Sequence, residues 1–347
     1  MRLLVLSLLL LMPAQSLLAQ ASTAAALGPE ELDYYLLQSL NAAGADSRLP
    51  LNHIGIQVIE QNDGYLVTAV LEGYPAQAAG IYRGDLIRQA DGEAFHPVHS
   101  FNEAHLAPAG FRPFTDNSRL LIQRGDSEIT ATVSPVFENL YDSYRSATLN
   151  SLQQFPSGNK TVAYLRLWVL SRATDDLIAY QSLFDQLAGS DGLILDLRDS
   201  LGFLDLAQLQ LIYRGASELF QASDSAVQAE LLPEPEFQLP ALANPYRNPV
   251  AILVNEYSRG GAELLAWQLD KLNRVITLGK STAGELGNWQ FQNGLIRYQP
   301  RAGLLIDGIE VEGEGFAPER EADYPQTRAG RIDPQFQAAM DLLMGII

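Results

Sequence analysis

The chain has 347 residues, of which 47% are hydrophobic and 18% charged, and its formal net charge is −18. This length and composition suffice for two domains with apolar cores, and the acidic balance argues against nucleic acid or an anionic membrane surface as the main partner. There is no cysteine, which excludes a disulfide framework, a thiol nucleophile and a cysteine-based zinc site.

The first 21 residues are predicted to form a secretory signal peptide. Arg2 supplies the charged start, residues 3–12 form an apolar run too short to span a bilayer, and residues 19–21 give a small-x-small cleavage signal. Cleavage after Ala19 stays open beside cleavage after Ala21. No other stretch is long enough for a stable membrane span, so we expect a secreted protein, most simply in a bacterial periplasm.

Residues 22–48 are predicted to be an N-terminal helical segment. Pro29 suits the first turn of a helix over residues 28–40, and the carboxylates of Glu30, Glu31 and Asp33 suit the positive end of the helix dipole. Apolar residues recur on one side of this helix, which indicates that it packs against the body of the protein.

Residues 49–136 are predicted to be a β-rich domain. In the run PAQAAGIYRGDLI, Pro75 opens a short helix, Gly80 ends it, and Gly84 with Asp85 turns the chain into a strand. This run fits the signature P-A-x-x-A-G-Φ-x-x-G-D-x-I, where Φ is apolar, and the segment therefore resembles a bacterial PDZ domain.

The PDZ resemblance implies a site for the free C-terminus of a peptide, which such domains bind as an added edge strand. The matching loop and strand are residues 53–58, and the candidate peptide-binding residues are Ile54, Gly55, Ile56 and Val58. Gly55 would let the two backbones approach closely, and the apolar side chains would line a pocket. The alternative is that these side chains only fill the core.

All the histidines lie in this half of the chain, at His53, His96, His99 and His105. A zinc site is the alternative to ordinary loop histidines. The spacing is irregular, however, and no cysteine or well-placed carboxylate completes a ligand set. We therefore predict no metal and no cofactor.

Residues 137–347 are predicted to be an α/β domain. Buried apolar strands over residues 161–168, 191–198, 251–254 and 275–278 are separated by helical patterns over residues 174–187 and 262–272. Strand–helix–strand order of this kind implies right-handed crossovers and a parallel sheet. The sharp turn over residues 257–261, between a strand and a helix, is where many hydrolases hold a nucleophile.

Residues 251–287 resemble the carboxyl-terminal processing (tail-specific) serine peptidases, whose pattern is strand, S/T-A-S-A-S-E, helix, strand, G-x-x-T-x-G-K-G. Residues 192–198, GLILDLR, match another strand of that family. The resemblance covers nearly all of the mature chain. It implies an N-terminal PDZ domain followed by a ClpP/crotonase-like α/β tail-specific-protease domain, and in resembling enzymes an N-terminal helix packs on the body or mediates a homodimer.

The resemblance also shows departures at the active site. Alignment on Glu263 and on residues 279–282 places the family nucleophile at Gly260 and the family lysine base at Glu285. The oxyanion loop keeps Gly202, with Gly261 as its second predicted member, but Phe203 replaces the next glycine and is expected to crowd the site. Glu263 and Thr282 are interpreted as scaffold residues, and Ser258 is the fallback nucleophile.

Two functions follow as hypotheses. The first is a catalytically inactive relative of these peptidases that recognises the C-terminal tails of exported proteins. The second is an active serine endopeptidase with a substituted site, for which Ser258 and Glu285 are the conceivable pair. A weaker third hypothesis is a small hydrophobic ligand bound in the former cleft.

Overall fold

The computed structural model describes residues 26–213, 219–234, 245–325 and 332–347. The predicted signal peptide lies outside these residues. Residues 233–249 are rich in proline, a pattern that predicts a surface loop, and part of this stretch also lies outside them. Among the described residues, no helix combines the length and the apolar character needed to cross a membrane.

The described chain opens with helix α1 (Leu32–Leu40), followed by a 3₁₀ turn, Ala45–Ser47. The helix begins four residues later than predicted, because the Gly28 amide donates to Glu31 Oε2 at 2.6 Å and residues 29–31 form a turn. Its buried side is wider than the predicted stripe and includes Tyr34 and Leu37. This side packs in an apolar cluster with helix and hairpin residues from the second half of the chain.

The first domain is a twisted antiparallel sheet with a short helix. Its elements are β1 (Leu51–His53), β2 (Ile56–Gln61), β3 (Gly64–Val70), α2 (Pro75–Ala78), β4 (Leu86–Ala90), β5 (Glu93–Ala94), a 3₁₀ turn (Ala104–Leu106), β6 (Ser118–Arg124), β7 (Ser127–Val133) and β8 (Val136–Glu138). The strand order is β2-β3-β4-β6-β7, with β5 beside β4. Within the described chain, β2 is therefore an edge strand.

The second domain follows directly. Its elements are α3 (Leu140–Asn150), β9 (Gln153–Ser157), β10 (Lys160–Arg166), β11 (Val169–Leu170), α4 (Thr174–Leu187), β12 (Gly192–Asp196), β13 (Leu201–Gly202), α5 (Leu206–Gln210), α6 (Ser225–Leu231), β14 (Val250–Val254), α7 (Gly261–Asp270), β15 (Val275–Gly279), β16 (Asn288–Gln292), β17 (Leu295–Gln299), β18 (Leu305–Ile306), β19 (Ile309–Glu310), β20 (Arg320–Glu321) and α8 (Pro334–Ile346).

The central sheet of this domain has the order β20-β15-β14-β12-β10-β9. Every pair in it is parallel except β9 with β10. Helices α4, α5 and α7 cover one face, and α8 covers the other. A parallel sheet needs cover on both faces, which explains why its inner strands β12 and β14 are fully buried, mostly apolar runs. The predicted fold class, a PDZ domain followed by an α/β peptidase-like domain, is confirmed.

One predicted helix is much shorter than its pattern indicated. The apolar residues over 205–220 indicate a long helix, but α5 ends at Gln210 and the chain turns at Leu211 and Ile212. Asp205 starts the helix with a capping box, and both turn residues are buried in the core of the sheet's helical face. Leu211 and Ile212 are buried although the helix has ended before them, which explains why the apolar pattern indicated a longer helix.

Candidate functional site

The turn between β14 and α7 holds the position predicted for a nucleophile. Gly260 has φ +60° and ψ −122°, a conformation that strains any residue with a β-carbon. Nucleophile turns between a strand and a helix are sharp and strained in the same way. The backbone of a nucleophile turn is thus present at residue 260, but the side chain is not.

Glu263 connects this turn to the second loop of the site. It is buried and accepts hydrogen bonds from the amides of Gly260 (2.9 Å), Gly284 (2.7 Å) and Glu285 (3.0 Å), and from the Thr282 hydroxyl (2.5 Å). Burial raises the pKa of its carboxyl to about 7, while these four donors act in the opposite direction. The side chain holds positions 260 and 285 in a fixed relation.

Gly260 and Glu285 line one cavity of about 320 Å³. A β-carbon at position 260 would lie 3.9 Å from the Glu285 carbonyl oxygen, so the two predicted catalytic positions do meet. In the parts of the chain that the structure describes, the lining contains no serine, threonine, lysine, histidine or tyrosine. Apolar residues dominate it: Leu37, Leu40, Leu201, Phe203, Leu204, Leu231, Leu264, Leu286 and Trp289.

Arg259 neutralises part of the charge that Glu285 brings to this cavity. Its guanidinium lies 3.6 Å from Glu285 Oε2 and 3.0 Å from Asp33 Oδ2 of helix α1. Burial raises the pKa of the Glu285 carboxyl, and the positive charge of Arg259 opposes that shift. The pair resembles a structural ion pair more than a base held near a nucleophile.

The predicted oxyanion loop presents an acceptor where a donor is needed. Gly202 O would lie 3.0 Å from a β-carbon at position 260, whereas Gly202 N would lie 4.0 Å from it. The Phe203 amide donates to Leu170 O at 2.9 Å and is therefore committed elsewhere. Gly202 and Gly261 do line the cavity, but a carbonyl oxygen so close to the reacting position would repel a developing oxyanion.

The fallback nucleophile, Ser258, points away from this cavity. Its side chain is fully buried, and its hydroxyl donates to Leu197 O at 2.8 Å and accepts from the Asn255 amide at 3.0 Å. It is not among the residues that line the cavity. The structure thus argues against Ser258 as a nucleophile, because no substrate carbonyl can reach it.

A second cavity, of about 360 Å³, runs beside the edge strand β2. Ile56 and Val58 line it, as predicted for peptide-binding residues. The opposite wall comes from residues 30–33 at the start of α1 and from His96 and Pro97. The sequence pattern did not predict this wall, because nothing in it shows where a surface helix will pack. We call this cavity the β2 groove.

Two of the predicted peptide-binding residues lie elsewhere. Ile54 is 1% exposed and belongs to the core of the PDZ sheet, so its prediction as a pocket residue is wrong. Gly55 has φ +76°, and a β-carbon there would lie 2.3 Å from Tyr74 Cβ. Its amide donates to His53 Nδ1 at 3.1 Å and is therefore not free for a peptide carboxylate in this arrangement.

His53 is a structural residue. Burial lowers the pKa of its ring to about 3, so the ring is neutral, and its Nε2 lies 3.0 Å from Ser143 Oγ on α3. Because Nδ1 accepts from Gly55, Nε2 carries the proton and donates to that hydroxyl. The Ser143 hydroxyl in turn donates to Glu138 Oε2 at 2.6 Å. The chain of bonds ties the loop before β2 to helix α3.

His96, His99 and Glu30 form a cluster that the sequence spacing did not indicate, whereas His105 contacts Glu103 at 3.6 Å on the surface. Metal ligation does not fit these three residues as arranged. His96 Nδ1 accepts from the amides of Val98 (3.2 Å) and His99 (3.1 Å), so in the neutral ring the proton sits on Nε2. A protonated nitrogen has no lone pair for a metal ion.

The domains match two family models. Residues 161–321 match the model of peptidase family S41, and residues 52–134 match that of the PDZ domain. Residues 161–321 of this chain are thus a peptidase family S41 domain. The suggested relationship to carboxyl-terminal processing peptidases is thus confirmed, and the S41 match contains Gly202, Gly260, Gly261 and Glu285.

Two named relatives of this chain are bacterial. It is 25% identical over 323 residues to the carboxyl-terminal-processing protease of Synechocystis sp., an alignment that covers 85% of this chain and 69% of the relative. It is 25% identical over 299 residues to a CtpA-like serine protease of Staphylococcus aureus, covering 81% of this chain and 54% of the relative. The chain therefore spans only about half the length of the Staphylococcus protein.

A solved structure shares the fold. The crystal structure of an S41 protease from Bacteroides fragilis aligns with a TM-score of 0.58 and 20% identity, over 86% of this chain and 84% of that one. At this identity the likeness supports the architecture alone.

Proposed function

We propose that this S41-family chain is a catalytically inactive binding protein that recognises protein C-terminal tails through its PDZ domain. The observation that carries the proposal is the lining of the former catalytic cavity. Among the described residues around Gly260, no side chain offers a nucleophilic hydroxyl or an amine base. Covalent catalysis by this family's type of dyad needs both groups within hydrogen-bond reach.

The oxyanion loop supports the same proposal. A serine peptidase stabilises its tetrahedral intermediate with N–H donors, and removing one such donor typically costs about a hundredfold or more in rate. Here Gly202 O faces the reacting position and the Phe203 amide is bonded to Leu170 O. The nucleophile and the base are therefore missing, and the Gly202–Phe203 side of the oxyanion loop offers no donor.

Tail recognition is supported by the open edge of β2. Its described sheet neighbour is β3 alone, and the β2 groove leaves space beside the free edge. A peptide added there would gain main-chain hydrogen bonds, and Ile56 and Val58 would contact its side chains. We propose the tails of exported proteins as partners, because the chain's own first 21 residues have the pattern of a signal peptide.

The remaining assignments are proposals of the same kind. We propose a secreted, most simply periplasmic, location, with the N-terminal helical segment over residues 22–48, the PDZ domain over residues 49–136 and the peptidase-like domain over residues 137–347. The homodimer suggested by the family resemblance stays a prediction, which light scattering of the mature chain would test.

Inactivity is tested with the mature chain and an unfolded substrate protein that ends in an apolar tail. Cleavage is followed by mass spectrometry, and labelling by a fluorophosphonate probe is measured in parallel. We expect neither cleavage nor labelling. Cleavage that disappears in Ser258→Ala would contradict the proposal and show that the chain is an enzyme with a relocated nucleophile.

A pair of double variants distinguishes two causes of inactivity: the missing hydroxyl, and a scaffold that no longer supports catalysis. Gly260→Ser with Glu285→Lys restores both family residues, and Gly260→Ala with Glu285→Lys adds the same β-carbon without a hydroxyl. Cleavage by the serine variant alone would show that the scaffold still supports chemistry.

Tail recognition is tested separately, by comparing a peptide that has a free C-terminal carboxylate with its amidated form, which we expect to bind at least tenfold more weakly.

A further inference from the structure

The two ends of the β2 groove differ in how far their charges are compensated. At the end where β2 begins, Gln57 Nε2 donates to the Tyr144 hydroxyl at 2.8 Å. Gln57 Nε2 also donates to Asp199 O at 3.5 Å, and Asp33 and Arg259, which form an ion pair at 3.0 Å, line the groove with Tyr144. Arg259 is the cation there, and it lines both the β2 groove and the former catalytic cavity.

The other end of the groove is acidic. Glu60 lies directly opposite Tyr65 in the β2–β3 pair, and both residues line the groove. Glu30, Glu31 and Glu60 line the groove together with Tyr65. Burial, and then the negative charges of Glu60, Glu30 and Glu31, raises the pKa of the Tyr65 phenol. All three are exposed. Glu30 contacts His99, whereas no described cation lies within ion-pair distance of Glu60 or Glu31.

The geometry of strand addition places a particular part of a tail at this acidic end. The loop before β2 is the predicted carboxylate end, so a tail would run antiparallel to β2 with its last residue beside Ile56. Each residue of a strand advances about 3.3 Å, so the residues beside Glu60 are roughly the fourth and fifth from the C-terminus. The side chains at these positions meet Glu30, Glu31 and Glu60.

We propose that the β2 groove selects C-terminal tails in which lysine or arginine stands about four residues before an apolar end. The inference rests on the proposed tail recognition and adds the class of tail. A basic side chain would meet the three carboxylates, while the tail's own carboxylate lies at the end where Arg259 stands. The exposed carboxylates at the far end of the groove therefore favour one sequence class.

The test uses fluorescence anisotropy with the mature full-length chain and four labelled peptides. Three share an apolar free-carboxylate end and differ only at the fourth and fifth positions from it, which are both lysine, both glutamine or both glutamate. The fourth is the lysine peptide with an amidated end. At low salt we expect the lysine peptide to bind roughly fivefold to tenfold more tightly than the glutamine peptide, and the glutamate peptide to bind most weakly.

Matched variants tie the preference to the groove. Glu31→Gln with Glu60→Gln removes two charges there and keeps side-chain size, whereas Glu93→Gln with Glu128→Gln makes the same charge change on exposed residues of β5 and β7. We expect the groove variant to reduce the lysine-over-glutamine ratio at least threefold and the control variant to leave it unchanged. High salt should reduce the ratio in the unmodified chain.

The outcomes distinguish the two proposals. If the amidated and free peptides bind equally, carboxylate recognition, and with it the proposed function, is overturned. If the amidated peptide binds weakly but the lysine and glutamine peptides bind alike, tail recognition stands and the basic preference is overturned. An equal loss of the ratio in both variants would also overturn it, because the effect would then reflect net charge.

Discussion

At the scale of single residues, Glu263 is the carboxylate of this site that makes stability depend on pH. It is buried, accepts four hydrogen bonds and joins the turn at Gly260 to the loop at Glu285. The donors support the ionised form, but burial outweighs them and raises the pKa to about 7. A group that is this difficult to ionise in the folded state makes stability depend on pH.

The pH dependence has a definite sign. The folded pKa of Glu263 is about 7, above its ordinary value of 4.5, so between these values the folded state binds the extra proton. Stability should therefore fall as pH rises from about 5 to 8, by roughly 2 to 3 kcal/mol from this group. Urea unfolding at both pH values should show a smaller fall in Glu263→Gln than in the unmodified chain.

The change in unfolding free energy with pH has to be compared between the proteins, because Glu263→Gln also destabilises the fold at every pH. An amide nitrogen would replace an oxygen that accepts from Gly284, leaving two donors facing each other. Glu319→Gln, on an exposed carboxylate, is the control and should keep the original pH dependence. If the unfolding free energy changes equally with pH in all three proteins, Glu263 does not titrate in this range.

The residue scale also shows what sequence reasoning could reach. Spacing from Glu263 predicted that positions 260 and 285 correspond to the family's catalytic residues, and the structure brings them into one cavity. The direction of the 202–203 peptide was not predictable, since it depends on the φ of +120° at Gly202 rather than on residue type. Nor could a pattern show that Ile54 faces the core, because the loop at Gly55 breaks the alternation.

At the scale of elements, helix α1 is the part whose existence was predictable and whose position was not. Its acidic start and apolar stripe predicted a packed helix. Only the structure shows that Leu37 and Leu40 line the cavity beside Gly260, while residues 30–33 form a wall of the β2 groove. Charge complementarity between Asp33 and Arg259 joins two residues far apart in sequence, and neither residue alone signals the other.

The Asp33–Arg259 pair should help to hold α1 in place. Asp33→Asn removes the charge that lies 3.0 Å from the guanidinium, and it leaves Glu285, at 3.6 Å, as the remaining partner of Arg259 in this contact. We expect amide hydrogen exchange in residues 32–40 to accelerate roughly fivefold, as measured by mass spectrometry. Asp46→Asn, an exposed carboxylate outside the helix, is the control, and equal exchange in the two variants would contradict the role of the pair.

At the scale of the whole molecule, Arg83 connects the PDZ domain to the peptidase-like domain. Its guanidinium donates to Tyr324 O at 2.8 Å and Pro325 O at 2.9 Å, and it stacks 4.0 Å above the Tyr324 ring. Burial lowers the pKa of this guanidinium, with the charges nearby acting less strongly. The fork geometry of arginine suits two carbonyl oxygens and a ring at once, which lysine does not reproduce.

Removing this contact should loosen the segment around Tyr324 without separating the domains, because buried residues of both domains share one apolar cluster. We expect Arg83→Ala to accelerate amide hydrogen exchange in residues 320–325, as measured by mass spectrometry, and to make this segment easier for a protease to cut. Arg83→Lys should show most of the same effect. Arg88→Ala, which removes a surface arginine whose described carboxylate contact is a distant one at 3.8 Å, should leave both readouts unchanged. Unchanged exchange in Arg83→Ala would show that other contacts hold this segment.

The backbone conformation at position 260 also affects which residues selection can place there. Any other residue at φ +60° would bear conformational strain of about 1 kcal/mol or more, so glycine relaxes the turn while it removes the hydroxyl. A serine there would bear that strain and bring a β-carbon 3.0 Å from Gly202 O. Stability alone would therefore disfavour serine at this position, and under the proposed function selection has no catalytic benefit to set against that cost.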